Sequence, residues 1–178
     1  MKKSLVLLTA SVFAYSTLAW AGDPEFTDDG ALVRPDPTEW IFVSSSATDT
    51  ASQMEAEGAE AKSDGKFNII HIDPDAWAHY KETGAFPEGT VVTMSFYDMN
   101  PHDMGRPRLW AGQNTATEVG VKDSTRFEDG WGYFRFDGDE QTATVFPRER
   151  CFDCHEAMAA EDKVFTQLYA IFGQNAAE

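Results

Sequence analysis

The sequence has few cysteines, few histidines and few basic residues, and each shortage narrows the range of functions. It contains two cysteines, four histidines, and 14 lysines and arginines against 30 aspartates and glutamates. The formal charge of −16 argues against nucleic acid or an anionic membrane surface as a partner, because both would repel the chain. Two cysteines and scattered histidines also fail to supply the second ligand pair that a zinc finger requires. A solvated acidic surface, or docking to a basic redox partner, fits this charge.

Long hydrophobic runs are absent beyond the N-terminus. There, two lysines precede an apolar run that ends near Leu18, and Ala19–Ala21 (AWA) has the small-x-small pattern of a signal-peptidase site. The run is too short, and too interrupted by serine and threonine, to be a permanent membrane span. We therefore expect residues 1–21 to be a signal peptide. Residues 22–178 would then form one exported periplasmic domain with no membrane attachment.

Both cysteines lie in one motif, CFDCH, at residues 151–155. In an oxidising compartment this pair could form a disulfide, and its spacing also suits a thioredoxin-like redox pair. The third interpretation is covalent haem attachment, in which Cys151 and Cys154 form thioether bonds and His155 binds the iron. The histidine directly after the second cysteine favours haem, because neither alternative requires it. We expect one covalently bound haem c.

The rest of the chain predicts an α+β fold with a mainly antiparallel sheet and a few helices. One helix is expected at 75–83, since Asp73 is a suitable N-cap, Pro74 a suitable first residue and Gly84 a suitable stop. β-Branched and aromatic residues predict strands at 40–46, 67–72, 90–97, 131–136 and 142–146.

Three further segments complete this prediction. Residues 98–115 contain two prolines and two glycines and are interpreted as a long loop. Residues 47–65 are polar and are expected to be a surface loop or a short helix. Apolar residues at close to helical spacing predict a C-terminal helix over 152–172 that carries the haem motif and ends at Gly173.

Several blocks in this order resemble the cytochrome P-460 family. They are 72–74 (IDP), 86–91 (FPEGTV), 121–127 (VKDSTRF), 130–133 (GWGY), the CFDCH motif and 164–166 (VFT). The resemblance implies a small periplasmic mono-haem protein whose sheet covers the distal side of the haem, with His155 on the other side. Dimers are common in such a family, so a homodimer is one expectation.

The resemblance implies two functional groups, which differ at one lysine. Members that oxidise hydroxylamine cross-link that lysine to the haem. The cytochrome c prime beta group lacks the cross-link and binds nitric oxide and carbon monoxide in an apolar pocket. Here the corresponding residue is Met94, and Asn68 stands where a distal arginine is expected. Met94 could fill space beside the haem, serve as a sixth iron ligand or, as a remote third alternative, form a covalent thioether-type link to the porphyrin. Phe67 and Phe146 come nearest to other distal positions of the family.

These observations together predict a mono-haem c-type cytochrome that binds nitric oxide or a related small nitrogen ligand at an open iron position. The first alternative is an enzyme that oxidises hydroxylamine, an interpretation weakened by Met94 and Asn68. The second is an electron carrier with His155 and Met94 both on the iron.

Overall fold

The structure is a computed structural model that describes residues 23–48, 65–103, 105 and 107–173. The expected signal peptide and nearly all of the polar segment at 47–65 lie outside the described residues. Within the described part, no helix is long and apolar enough to cross a membrane.

The centre of the fold is a five-stranded antiparallel sheet in which every strand pairs with the next one along the chain. The strands are β1 (Leu32–Val33), β2 (Ile41–Thr48), β3 (Lys66–Ile72), β4 (Val91–Asp103), β5 (Pro107–Lys122), β6 (Trp131–Asp137) and β7 (Thr142–Ala143). The large sheet has the order β2-β3-β4-β5-β6, and a small second sheet pairs β1 with β7. The predicted α+β class with a mainly antiparallel sheet is confirmed.

The first helix, α1, spans Pro74–Thr83 and confirms the prediction made from its end signals. The Asp73 side chain accepts a hydrogen bond from the Ala76 backbone N–H, which is the N-cap interaction that the sequence indicated. Gly84 ends the helix in the left-handed conformation at φ 72°, where a residue with a Cβ would be strained. Local signals sufficed here because each acts within one turn of the helix.

The predicted loop at 98–115 is wrong, because β4 continues to Asp103 and β5 begins at Pro107. The two strands extend beyond their neighbours as a two-stranded ribbon, in which Pro101 lies opposite Leu109. Strand β3 pairs with β4 only as far as Asp98. A proline in the ribbon therefore does not have to donate to a second neighbour, so the prolines that indicated a loop are tolerated. The predicted strand at 142–146 is likewise shorter than expected, since β7 ends at Ala143.

The long C-terminal helix predicted over 152–172 is also wrong. The second helix, α2, spans only Phe152–Met158, and two 3-10 turns follow at Thr166–Leu168 and Ala170–Phe172. Between them Asp162 and Lys163 adopt positive φ values of 43° and 62°. A right-handed helix cannot pass through such residues, so the chain reverses there. The apolar spacing belongs to separate short turns that contact the same sheet.

The two faces of the large sheet pack against different elements, helices and C-terminal turns on one face and the small second sheet on the other. On the helix-covered face, Ile70, Ile72 and Tyr133 pack in a core with residues from α1, α2 and the C-terminal turns. On the strand-covered face, Phe134 and Phe136 pack in a second core with Leu32 of β1. The haem motif lies on the helix-covered side, because α2 packs there through the buried Phe152.

Candidate functional site

The two cysteines lie at the start of α2 and differ in exposure. Cys151 precedes the helix and is half-buried, whereas Cys154 is exposed on its surface. Both thiols are free, so the structure does not contain the disulfide considered as an alternative. Burial, followed by the nearby Glu118 carboxylate, raises the pKa of Cys151. A redox-active first cysteine needs a lowered pKa, so this environment argues against the thioredoxin-like interpretation.

The His155 imidazole is fixed by one hydrogen bond and two aromatic rings. Its Nδ1 lies 2.7 Å from the Lys163 carbonyl oxygen. A carbonyl can only accept, so Nδ1 carries the proton and Nε2 has the lone pair that a metal requires. The Tyr133 and Phe165 rings lie 4.5 and 4.7 Å from the imidazole, measured between ring centroids. Burial lowers the pKa of His155, although the bond to the Lys163 carbonyl and the nearby Glu118 oppose this effect. The lowered pKa keeps the ring neutral.

Beside this histidine lies a cavity of about 280 Å³ between the helix-covered face of the sheet and the C-terminal turns. Cys151 and His155 both line it. Most of the remaining wall is apolar and includes Ile70, Val92, Met94, Val164, Phe165 and Leu168. Gly120 also lines the cavity, and a Cβ there would lie 3.3 Å from the Tyr133 ring. The absence of a side chain on Gly120 therefore lets the ring lie across β5.

Of the predicted distal residues, only Met94 lines the cavity. Phe67, Asn68 and Phe146 are not among its lining residues. Asn68 is on the same face of β3 as Ile70, but its amide donates to the Ser46 and Thr48 hydroxyls on β2 at 3.2 and 3.1 Å.

The two phenylalanines lie elsewhere in the fold. Phe67 is adjacent to Asn68 on β3 and therefore points to the opposite face. Phe146 follows β7, and its ring lies 5.4 Å from the Arg150 guanidinium. Whether Met94 contacts the iron stays a prediction.

Sequence reasoning missed Glu118, the acidic side chain that lines the cavity. Glu118 is the cross-strand neighbour of Met94 on β5. Its carboxylate accepts a hydrogen bond from Arg135 Nη1 at 3.0 Å, and Arg135 also donates to Asp137 at 2.7 Å. The pairing of β4 with β5 would have identified Glu118 as the neighbour of Met94. The start of β5 was interpreted as a loop, so the register between these two strands could not be predicted.

The site is suited to a ligand that carries its own metal ion and is held by Cys151 and His155 on one wall of the cavity. In the parts of the chain described here, no group of three or more His, Cys, Asp or Glu residues could hold a metal ion by itself. A metal bound by His155 would therefore have to arrive with most of its ligands already in place, as the iron of a porphyrin does.

Comparison with known protein families gives a match over most of the chain. The family model for cytochrome P460 matches residues 37–166, which include the sheet, α1, the haem motif and the VFT block. A search of curated proteins gives no significant match.

Proposed function

Because the chain belongs to the cytochrome P460 family, we propose that it is a periplasmic mono-haem c cytochrome that binds nitric oxide or a related small nitrogen ligand. The family is one of haem c cytochromes. The observation that supports the proposal is the position of Cys151 and His155 on the wall of one largely apolar cavity.

The residues fit a haem group. Cys151 and Cys154 provide two thiols for thioether bonds, and His155 has Nδ1 hydrogen-bonded and Nε2 free for iron. When bound, haem supplies an iron atom with one coordination position left for a small ligand. The chain contributes the proximal imidazole and an apolar wall that excludes water.

Covalent attachment can be tested directly on the matured protein. The wild type should keep its haem through denaturing electrophoresis and acid–acetone extraction. A Cys151→Ala, Cys154→Ala double variant should lose it. Retention of haem by the double variant would overturn the thioether assignment. N-terminal sequencing of the same protein should start at Gly22 if the signal peptide is cleaved as expected.

The mainly apolar wall determines which ligands are favoured. Met94, Val92 and Leu168 have no group that donates a strong hydrogen bond, and the Trp131 and Tyr133 donors on the wall are bonded to Asp162 and to the Lys163 carbonyl. A bound dioxygen is polar and needs a donor, whereas nitric oxide and carbon monoxide do not. We therefore expect the ferrous protein to bind nitric oxide far more tightly than dioxygen.

Met94 decides between this proposal and the electron-carrier alternative. Met94→Leu conserves volume and removes the sulfur. If Met94 only fills space, the variant should keep the ferric spectrum and the nitric oxide affinity of the wild type. If Met94 is an iron ligand, the wild type should be low-spin and the variant high-spin, with much faster ligand binding. Leu168→Met, at another position of the cavity wall, is the matched control.

Glu118 favours hydroxylamine oxidation as the second candidate function. Oxidising a nitrogen hydride releases protons, and Glu118 is a carboxylate on the cavity wall that could accept them. Turnover of hydroxylamine with an artificial electron acceptor, lost in Glu118→Gln, would favour the enzyme. Absence of turnover, together with tight nitric oxide binding, would favour the ligand-binding protein.

A further inference from the structure

The turn at residues 161–164 has a backbone that its sequence does not favour. Among the described residues, Asp162 and Lys163 are the two that adopt positive φ without being glycine. The turn is closed by a hydrogen bond of 2.7 Å from the Val164 N–H to the Glu161 carbonyl. Asparagine and glycine are the usual residues of such a turn, and lysine is strained there. The surrounding structure must therefore hold this turn in place.

The Asp162 side chain is what connects the turn to the sheet. One carboxylate oxygen accepts from Lys122 Nζ at 2.6 Å, and the other accepts from Trp131 Nε1 at 3.2 Å. Lys122 and Trp131 are cross-strand partners at one end of β5 and β6. The Lys122 ammonium also donates to the Phe86 carbonyl at 2.7 Å. Its side chain is only 17% exposed, so the ion pair is screened less than a surface pair.

The adjacent carbonyl of the turn is the one that His155 uses. The Lys163 oxygen accepts from His155 Nδ1 at 2.7 Å and from the Tyr133 hydroxyl at 3.4 Å. Asp162 therefore fixes the position of the group that receives the Nδ1 proton, although it does not itself contact the imidazole. A short hydrogen bond at Nδ1 makes an imidazole a stronger electron donor through Nε2.

We infer that Asp162 is a positioning residue for the proximal haem ligand, acting through the Lys163 carbonyl on His155. The inference rests on the proposed function, since it requires that His155 binds the iron. By holding the carbonyl in place, Asp162 increases the donor strength of the imidazole, stabilises ferric over ferrous iron and keeps the reduction potential low.

The experiment compares haem-loaded variants of the full chain by two measurements that do not depend on activity. These are the reduction potential and the iron–histidine stretching frequency of the ferrous protein by resonance Raman spectroscopy. In Asp162→Ala we expect about a tenfold rise in the equilibrium constant for one-electron reduction, or about 59 mV, and a lower stretching frequency. Asp162→Asn keeps an acceptor for Trp131 and should give a smaller change in the same direction.

A second variant, Lys122→Met, separates positioning from charge alone. Removing a negative charge at Asp162 would raise the potential by simple electrostatics, but removing the positive charge at Lys122 would lower it. If the turn positions His155, Lys122→Met should instead raise the potential and lower the stretching frequency, as Asp162→Ala does. Asp139→Ala, in the exposed turn between β6 and β7, is the control for charge and should leave the frequency unchanged.

The outcomes distinguish the inference from the function on which it rests. A wild-type stretching frequency in both Asp162→Ala and Lys122→Met, with potentials that move in opposite directions, would overturn the inference and leave the function intact. Absence of an iron–histidine vibration from the ferrous wild type, before any variant is made, would overturn the proposed function. If Asp162→Ala does not mature, Asp162→Asn and Lys122→Met give the same decision.

Discussion

Substitution of Asp73 is expected to lower the stability of the fold strongly, because its buried carboxylate connects α1 to β4. One oxygen accepts from the Ala76 N–H at 2.7 Å, which caps α1. The other accepts from the Val91 N–H at 2.8 Å, at the first residue of β4. Asp73 is 3% exposed, so water does not replace either bond when the side chain is removed.

The cost of Asp73→Ala follows from these two bonds. Loss of an N-cap costs about 1 kcal/mol. Leaving the buried Val91 N–H without a partner adds about 1–3 kcal/mol. Burial raises the pKa of Asp73, and the bonds to Val91 and Ala76 oppose this effect. Desolvation of the carboxylate therefore offsets part of the stability that the two hydrogen bonds contribute. We therefore expect a loss of about 2–4 kcal/mol, or about 5–15 °C in Tm for a domain of this size.

Urea denaturation of the full chain, followed by circular dichroism, measures this loss. Asp73→Asn keeps a good N-cap but turns an N–H₂ group toward one of the two donors, so its loss should be intermediate. Asp36 is the N-cap of the 3-10 turn Pro37–Glu39, which has no buried residue, so Asp36→Ala is the matched control and should cost much less stability. If Asp73→Ala and Asp36→Ala destabilise equally, the assignment of a buried bond to Val91 is wrong.

Three further predictions concern other parts of the chain. Tyr80→Phe removes a 2.5 Å hydrogen bond to Glu161 and should cost about 1 kcal/mol by urea denaturation, whereas an unchanged midpoint would mean that the bond adds no stability. Lys163→Gly keeps the carbonyl that His155 uses and relieves left-handed strain of about 1–2 kcal/mol, at a cost of about 0.5–1 kcal/mol in glycine entropy. The free energy of unfolding should therefore rise by up to about 1.5 kcal/mol, and a clear loss would contradict this. Burial lowers the pKa of His71 below 6.5, so the unfolded state binds its proton more readily and stability should fall as the pH drops through about 6.5. His71→Asn should weaken this dependence between pH 7.5 and 5.5, and identical profiles would refute it.

Sequence reasoning succeeded where the determining interactions are local. Asp73, Pro74 and Gly84 delimit α1 because each acts within one helical turn. Strands β3 and β6 were predicted to within one residue at each end, because both are rich in β-branched or aromatic residues: those of β3 alternate around one buried face, and those of β6 are buried on both faces of the sheet. The CFDCH motif is also local, since it places two cysteines and one histidine within five residues.

The sequence was misleading where distant contacts override local preference. The proline-containing segment of β5 is a strand because β4 pairs with it over its whole length. The apolar residues after Met158 form separate turns because the Asp162 carboxylate binds Lys122 and Trp131, which are distant in sequence. Glu118 was missed for the same reason, since its place beside Met94 depends on a strand register that no single segment determines.

An absorption spectrum of the matured protein tests the central claim most directly, recorded ferric, then reduced, before and after addition of carbon monoxide. The account predicts a high-spin c-type ferric spectrum, an ordinary ferrous Soret band and a clear shift with carbon monoxide, as expected for His155 on one side of the iron and an open position on the other. A low-spin ferric spectrum with no response to carbon monoxide would contradict it, because a sixth protein ligand would then occupy the proposed binding position.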